Sequence, residues 1–321
     1  MKALIRLKYG TPEQLQIAER EIPAVSEGEV RIKVHAATVN RTDLGHLSGK
    51  PYIVRLFWGF SKPKSPVTGT DFAGVIVDVG KGVSGFKVGD RVWGFHDDGA
   101  ASHAEYATFS VSNGIALIPA SLPFDEAVAC AEGAHYGYNF LNKISLKPGD
   151  KVLLNGATGA IGSAMLQMLN EMGMDITAVC ATPHIERIKA LGASRVFDYL
   201  KEDFTAHDGK YQAVLDAVGK STFFKCKHLL GPGGIYISSE LGPYWQNPFL
   251  ALITPLFRGK KVVFPIPSNV PRSLQTITAL VEKGAFKPLI DRRYKLEQAS
   301  EAFTYVATGE KIGNVILQIQ P

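Results

Sequence analysis

The chain has 321 residues, 45% hydrophobic and 20% charged, which is enough to bury cores for two domains and unlike a disordered or low-complexity chain. A net charge of +5, with Lys and Arg scattered apart from Arg258-Gly-Lys-Lys261, implies no nucleic-acid partner. Three cysteines, Cys130, Cys180 and Cys226, lie far apart with no CxxC, so they read as buried free thiols of a reducing compartment.

Met1 to Lys8 alternates like a first strand and lacks the apolar core of a signal peptide, which makes the cytoplasm the expected location. Val30, Ile32 and Val34 then alternate with Arg31, Lys33 and His35. The pattern returns at Val75–Val79 and Arg91–Phe95, with Gly/Asp turns between. Short strands at close intervals predict a β-rich domain shaped as a partly open barrel. Tyr52–Phe60 is aromatic and longer than a simple connection needs, and the stiff stretch Ser61–Pro66 follows it.

The turn Pro148-Gly149-Asp150 leads into the apolar run Lys151–Asn155, expected as a buried strand. Gly156, Gly159 and Gly162 follow, and then Ile161, Met165, Leu166, Met168 and Leu169 recur at helical spacing up to Gly173. Strand, glycine turn and helix are what a diphosphate needs. Glycines let the backbone approach, and the first helical turn offers unpaired N–H groups and the positive end of the dipole. GxxGxxG is one residue longer than the dinucleotide fingerprint and weak alone, since an ordinary turn has the same composition. Its context strengthens it. Strands at Ile176–Ala181, Arg195–Tyr199, Ala213–Val218 and Gly234–Ser239 alternate with helices at His184–Leu191 and Phe223–Leu230. That alternation predicts a doubly wound parallel sheet, with the ligand across its carboxyl ends.

Gly156, Ala157, Thr158, Gly159, Ala160, Ile161 and Gly162 are therefore the expected cofactor turn. After the second strand, where an NAD site places an acidic residue on the ribose, the chain reads Cys180-Ala-Thr-Pro-His184. With no carboxylate there, and with Thr182, His184 and Tyr199 able to donate to a 2′-phosphate, the expected cofactor is NADP(H). The alternative is that Pro183 only starts the helix and His184 is solvated. Ser238 and Ser239, at the end of a later strand, complete the expected cofactor contacts within this sheet. Gly242–Phe249 is a second aromatic segment, and with Tyr52, Phe57, Trp58 and Trp93 its Tyr244 is expected to wall an apolar substrate pocket. A contact between domains or between two copies is the other reading of these aromatic segments. The longest apolar stretch, around Phe249–Phe257, is broken by Pro255 and too short to span a bilayer.

Gly69-Thr-Asp-Phe-Ala-Gly-Val-Ile-Val-Asp-Val-Gly80, Gly85–Gly94, Ala104-Glu-Tyr-Ala107, Asn155–Gly162, Ala190-Leu-Gly-Ala193 and Gly313-Asn-Val-Ile-Leu317 fall in one order along nearly the whole chain. In that order they resemble the medium-chain dehydrogenase/reductase superfamily, in its zinc-independent quinone oxidoreductase-like branch. The resemblance implies an α/β chain: a GroES-like catalytic domain from residues 1–122 and 290–321, with a Rossmann domain, 123–289, inserted. It also implies a homodimer through an edge strand of the Rossmann sheet, and places Asn314 among the cofactor contacts.

Zinc-dependent members carry a cysteine where Asn40 stands and Gly-His-Glu where this chain reads Gly69-Thr-Asp71, so the expectation is no metal. His96-Asp-Asp98 with His103 is read as a polar loop rather than a site. By the resemblance, the loop Asn40–Asp43 lies at the nicotinamide. Asn40, Asp43 and Tyr136 are the candidate catalytic residues: Asn40 as an amide donor or as a helix cap, Asp43 as a donor's partner, and Tyr136 near where the family usually has Thr.

The expected function is NADPH-dependent, zinc-free hydride transfer to a small apolar quinone or α,β-unsaturated carbonyl. One alternative is a non-catalytic NADPH-binding sensor or partner protein. The other is an alcohol dehydrogenase acting on simple carbonyls; its short-chain form is disfavoured because none of the 11 tyrosines has Lys four residues on.

Overall fold

The computed structural model describes residues 1–320. The chain forms two compact units: Met1–Glu132, Asn269–Glu282 and the residues from Lys287 on make the first, and Gly133–Ser268 with Lys283–Phe286 the second.

The first unit begins with β1 (Lys2–Ile5) and β2 (Gln16–Glu19), an antiparallel pair. β3 (Glu29–Val39) is the long central strand, followed by β4 (Asp71–Val79), β5 (Arg91–Phe95), β6 (Tyr106–Ser110) and β7 (Ile115–Leu117). In β3 the predicted alternation holds: Val30, Ile32 and Val34 are buried with Phe72, Ile76, Val92 and Phe109. From Ala36 to Val39 the strand is buried continuously.

The second unit is a six-stranded parallel sheet of β8 (Lys151–Asn155), β9 (Asp175–Cys180), β10 (Arg195–Asp198), β11 (Tyr211–Asp216), β12 (Leu230–Ser238) and β13 (Lys261–Val263). Its order is β10-β9-β8-β11-β12-β13. This is the doubly wound arrangement, whose order reverses between β8 and β11 and so opens the ligand crevice at their carboxyl ends. Val152, Leu153 and Leu154 are fully buried, as a strand covered on both faces requires. β13 escaped the sequence reading because three residues carry no period.

β14 (Ile290–Lys295) and β15 (Asn314–Gln318) return to the first unit, where the path is β14-β15-β3-β4-β5-β7 with β6 also on β3. The first unit is larger than residues 1–122 and 290–321. The Phe124–Ala129 helix belongs to it, with Phe124 stacked on His35 at 4.4 Å between ring centroids. The Val270–Glu282 helix belongs there too, because it packs on β7. Packing set these boundaries, and sequence composition does not change at either of them.

No helix among the described residues is long and apolar enough to cross a membrane.

Candidate active site

In the second unit, β8 ends at Asn155 and the chain turns through Gly156 at φ +86°, a conformation that favours glycine. A Cβ on Gly162 would run into the Gly156 carbonyl, so this glycine lets the helix Ala160–Glu171 sit tightly on the turn. At Gly159, the N-cap, a Cβ would meet only the Gly156 carbonyl oxygen at 3.8 Å, and no side chain caps the helix. The helix thus starts at the switch point with room beside Gly159 and without a side-chain cap, which fits a dinucleotide diphosphate. The expected turn, Gly156 to Gly162, has this geometry.

The neighbouring strand ends are built around Asp216. Its buried carboxylate accepts from Asn155 Nδ2 (3.0 Å), Tyr236 Oη (3.0 Å), Gly219 N (2.9 Å) and Ser221 N (3.2 Å), which shapes the loop after β11. Burial, and then the Asp216 charge, hold the Tyr236 phenol above its ordinary pKa. Ser238 is buried, with its hydroxyl accepting from Glu240 N at 3.3 Å, while Ser239 is half-buried.

At the other end of the crevice the structure corrects the reading that no carboxylate is present. Asp198, the last residue of β10, lies opposite Cys180 in register, and the Thr182 hydroxyl donates to its Oδ2. Leu200 N donates to Oδ1 at 3.1 Å, and Lys201 Nζ stands 3.5 Å from Oδ2. The Thr182 hydrogen bond is the first cause that holds the Asp198 carboxyl below the usual carboxylate range. The Thr182 proton is therefore committed, leaving that hydroxyl only lone pairs to offer a ligand. His184 is half-buried and Tyr199 exposed. The missed signal was the Asp198-Tyr199 pair one strand further on.

In the first unit, the loop at Asn40 is held by a buried hydrogen-bond network in which Asp43 Oδ1 alone has no partner among the network's groups. Asn40 caps the helix Arg41–Ser48: its Oδ1 accepts from Asp43 N at 2.9 Å, and Asp43 Oδ2 accepts from Asn40 N at 3.1 Å. The Asn40 amide donates to Thr38 Oγ1 (3.1 Å) and Thr70 Oγ1 (2.9 Å), so both its hydrogens are used within the protein. Beneath it, Asp71 accepts from Thr38 N at 2.7 Å and Thr38 Oγ1 at 2.6 Å. Burial pushes the Asp71 carboxyl up to about 7. It also raises Asp43, with the Asp71 charge adding to it.

His103 closes the network: Nε2 meets the Thr38 carbonyl at 2.8 Å and Nδ1 meets Thr68 Oγ1 at 2.9 Å. A proton on Nε2 satisfies both contacts, and burial pushes the imidazole down to about 4. Nearby, Thr42 Oγ1 donates to Glu132 Oε1 at 3.1 Å. Burial and then the Asp71 charge push the Glu132 carboxyl up to about 7. Sequence reasoning missed Glu132 and Thr38, since nothing in their spacing marks them, and met Thr70 only as a replacement for a zinc-binding His.

Zinc, which the superfamily implies, does not fit the donors present. Asn40 and Thr70 are neutral and bonded to each other, both Asp71 oxygens accept from Thr38, and among the described residues no three His, Cys, Asp or Glu side chains converge.

The structure keeps Asn40 and Asp43 together, whereas Tyr136, half-buried in the helix Glu132–Leu141, belongs to the second unit. Asn314 is in the first unit and donates its amide to the Leu289 carbonyl at 3.0 Å. Trp93 is wholly inside the core and has no surface to offer an acceptor. Tyr52 and Phe57 point outward, Trp58 lies on the His46 ring (3.9 Å between centroids), and Tyr244 is fully exposed.

Residues 26–120 match the alcohol dehydrogenase GroES-like domain, and residues 191–317 the zinc-binding dehydrogenase domain. The 2-methylene-furan-3-one reductase of Solanum lycopersicum is 30% identical over 334 residues, spanning 100% of this chain and 80% of that protein. The NADPH-dependent alkenal/one oxidoreductase of Arabidopsis thaliana is 27% identical over 329 residues, spanning 99% and 79%. The solved quinone oxidoreductase of Coxiella burnetii superposes with a TM-score of 0.88 at 24% identity, over 100% of this chain and 99% of that one.

A GroES-like unit joined to a Rossmann sheet, with these matches, makes the chain an oxidoreductase of the medium-chain dehydrogenase/reductase superfamily. Within it, the chain belongs to the quinone oxidoreductase-like branch.

Proposed function

We propose that the protein reduces quinones or α,β-unsaturated carbonyls with NADPH and without zinc. The observation that carries this is the glycine turn, open at Gly159 and uncapped, at the switch point of the parallel sheet. Gly156–Gly162 would hold the diphosphate, and His184 and Tyr199 the adenosine end. The bound nicotinamide supplies a hydride at C4. The chain's own work is to orient the acceptor, exclude water and stabilise the oxygen that gains charge.

In a conjugated acceptor that oxygen is reached through the π-system, so a hydrogen-bond donor suffices, with the proton coming from solvent or a hydroxyl. Asn40 and Asp43 serve here as positioning residues that fix the loop, and Tyr136 is the proposed donor. The relatives named for a furanone and for alkenals and alkenones support the conjugated class. Three buried free thiols favour a reducing compartment, the cytoplasm.

We also propose a homodimer. β13 is one of the two outer strands of its sheet, and Phe249, Leu252, Leu256 and Phe257 are exposed on the segment leading into it.

The test is loss of NADPH absorbance with purified, chelator-treated protein against quinones, 2-alkenals, enones and saturated aldehydes, with NADH in parallel. Turnover of conjugated acceptors only, with NADPH preferred, is the expected result. Asp198→Asn, which frees the Thr182 hydroxyl and removes a charge, should tighten NADPH binding by about tenfold and leave NADH nearly unchanged. Tight NADPH binding without any turnover would favour the sensor role.

A further inference from the structure

The segment Tyr52–Phe60 is pinned on one side and bare on the other. Arg55 and Trp58, three residues apart in its short helix, face the body of the first unit. The Arg55 guanidinium lies over the Tyr9 ring at 4.4 Å and the Tyr52 ring at 4.9 Å, and its Nε donates to the Gly49 carbonyl at 3.0 Å. Trp58 rests on His46, and Tyr9 Oη donates to the Gly59 carbonyl at 2.6 Å. The opposite face consists of Ile53, Leu56 (61% exposed), Phe57 (66%) and Phe60 (78%). Hydrogen bonds and rings thus hold large apolar side chains out in water, where burial elsewhere would be favourable.

Charge identifies the occupant. From Leu44 to Thr70 there is no Asp or Glu, while Lys50, Arg55, Lys62 and Lys64 all lie in that stretch. Lys50, Lys62 and Lys64 are exposed, within a few residues of the apolar side chains along the chain. A second copy of this chain, at net charge +5, has no general excess of acid to match them. Apolar side chains flanked along the chain by four cations and no acid match a surface that is anionic outside and hydrocarbon within.

We propose that Tyr52–Phe60 docks the protein on anionic phospholipid membranes, with Leu56, Phe57 and Phe60 entering the acyl boundary and Lys50, Lys62 and Lys64 meeting the headgroups. No membrane-crossing helix is required, and the proposal does not depend on the hydride-transfer reading.

The experiment is co-sedimentation of the full chain with vesicles of phosphatidylcholine alone or of phosphatidylcholine and phosphatidylserine at about two to one. Binding to the mixed vesicles should exceed binding to phosphatidylcholine by about tenfold or more and weaken in high salt. Leu56→Asp/Phe60→Asp and Lys62→Glu/Lys64→Glu should each lose about tenfold or more while melting like the parent, since all four side chains are exposed. Absence of binding to mixed vesicles, equal binding to both compositions, or full binding by Leu56→Asp/Phe60→Asp would each overturn the proposal. Conversion of a dimer to a monomer by that double variant would overturn it as well and assign the face to self-association.

Discussion

Asp71 illustrates how a single side chain acquires properties that its neighbours in sequence do not announce. In the sequence it stands out only because zinc-dependent relatives have Glu at its position. In the fold it is a fully buried carboxyl held by two groups of Thr38 and pushed up to about 7. Its folded pKa lies above its ordinary 3.8, so between these values the folded chain keeps a proton that the unfolded chain releases. Stability is then fully present below about 3.8 and falls as pH rises toward 7, by up to about 1.4 kcal/mol per pH unit for each such group. Asp71→Asn removes this contribution and should make urea unfolding less dependent on pH between 5 and 8, with a variant more stable than the parent at pH 8. An unchanged slope would show that Asp71 is ionised at little cost. Asp198 was legible in the same limited way: the residue is plain, but its bond to Thr182 joins two strand ends 16 residues apart.

At the scale of elements, the capping box on the Arg41–Ser48 helix decides between two roles that the sequence left open for Asn40. Cap, amide donation to Thr38 and donation to Thr70 use every polar atom of the side chain. Asn40→Ala should therefore destabilise the protein by about 2–3 kcal/mol, a cap at about 1 plus buried hydrogen bonds, and lower turnover through a loosened loop. A denaturation midpoint within about 0.5 kcal/mol of the parent, combined with lost turnover, would instead make Asn40 a direct donor to the acceptor. The strands that the sequence reading named, and the glycine-turn helix, lie within a few residues of their expected places because their periods are strong; the short strands β2, β6, β7 and β13 were not read. The second helical segment of the parallel sheet, Ile185–Ala190, is preceded by a 3-10 turn at Thr182–His184, and the Phe223–Leu230 helix shrinks to Phe223–Cys226. Ends of short helices are set by tertiary contacts more than by propensity.

For the molecule as a whole, the proposed homodimer would meet at the edge strand β13 and the exposed apolar segment before it. Phe249→Asp/Leu252→Asp places charge in that surface and should convert a dimer into a monomer in sedimentation velocity, with NADPH binding retained because the glycine turn is untouched. A dimer that survives both charges would move the interface elsewhere.

The sequence by itself determined the two-domain α/β plan, the parallel sheet, the glycine turn and the family, because periodicity and glycine spacing are local and survive without tertiary information. Tertiary structure alone decided which side chains share a site. It brought Asp198 to Thr182, closed Asp71, Thr38, Asn40, Thr70 and His103 into one network, and sent Tyr52, Phe57 and Tyr244 outward. Burial and hydrogen-bond direction depend on residues far apart along the chain, and no spacing rule carries them.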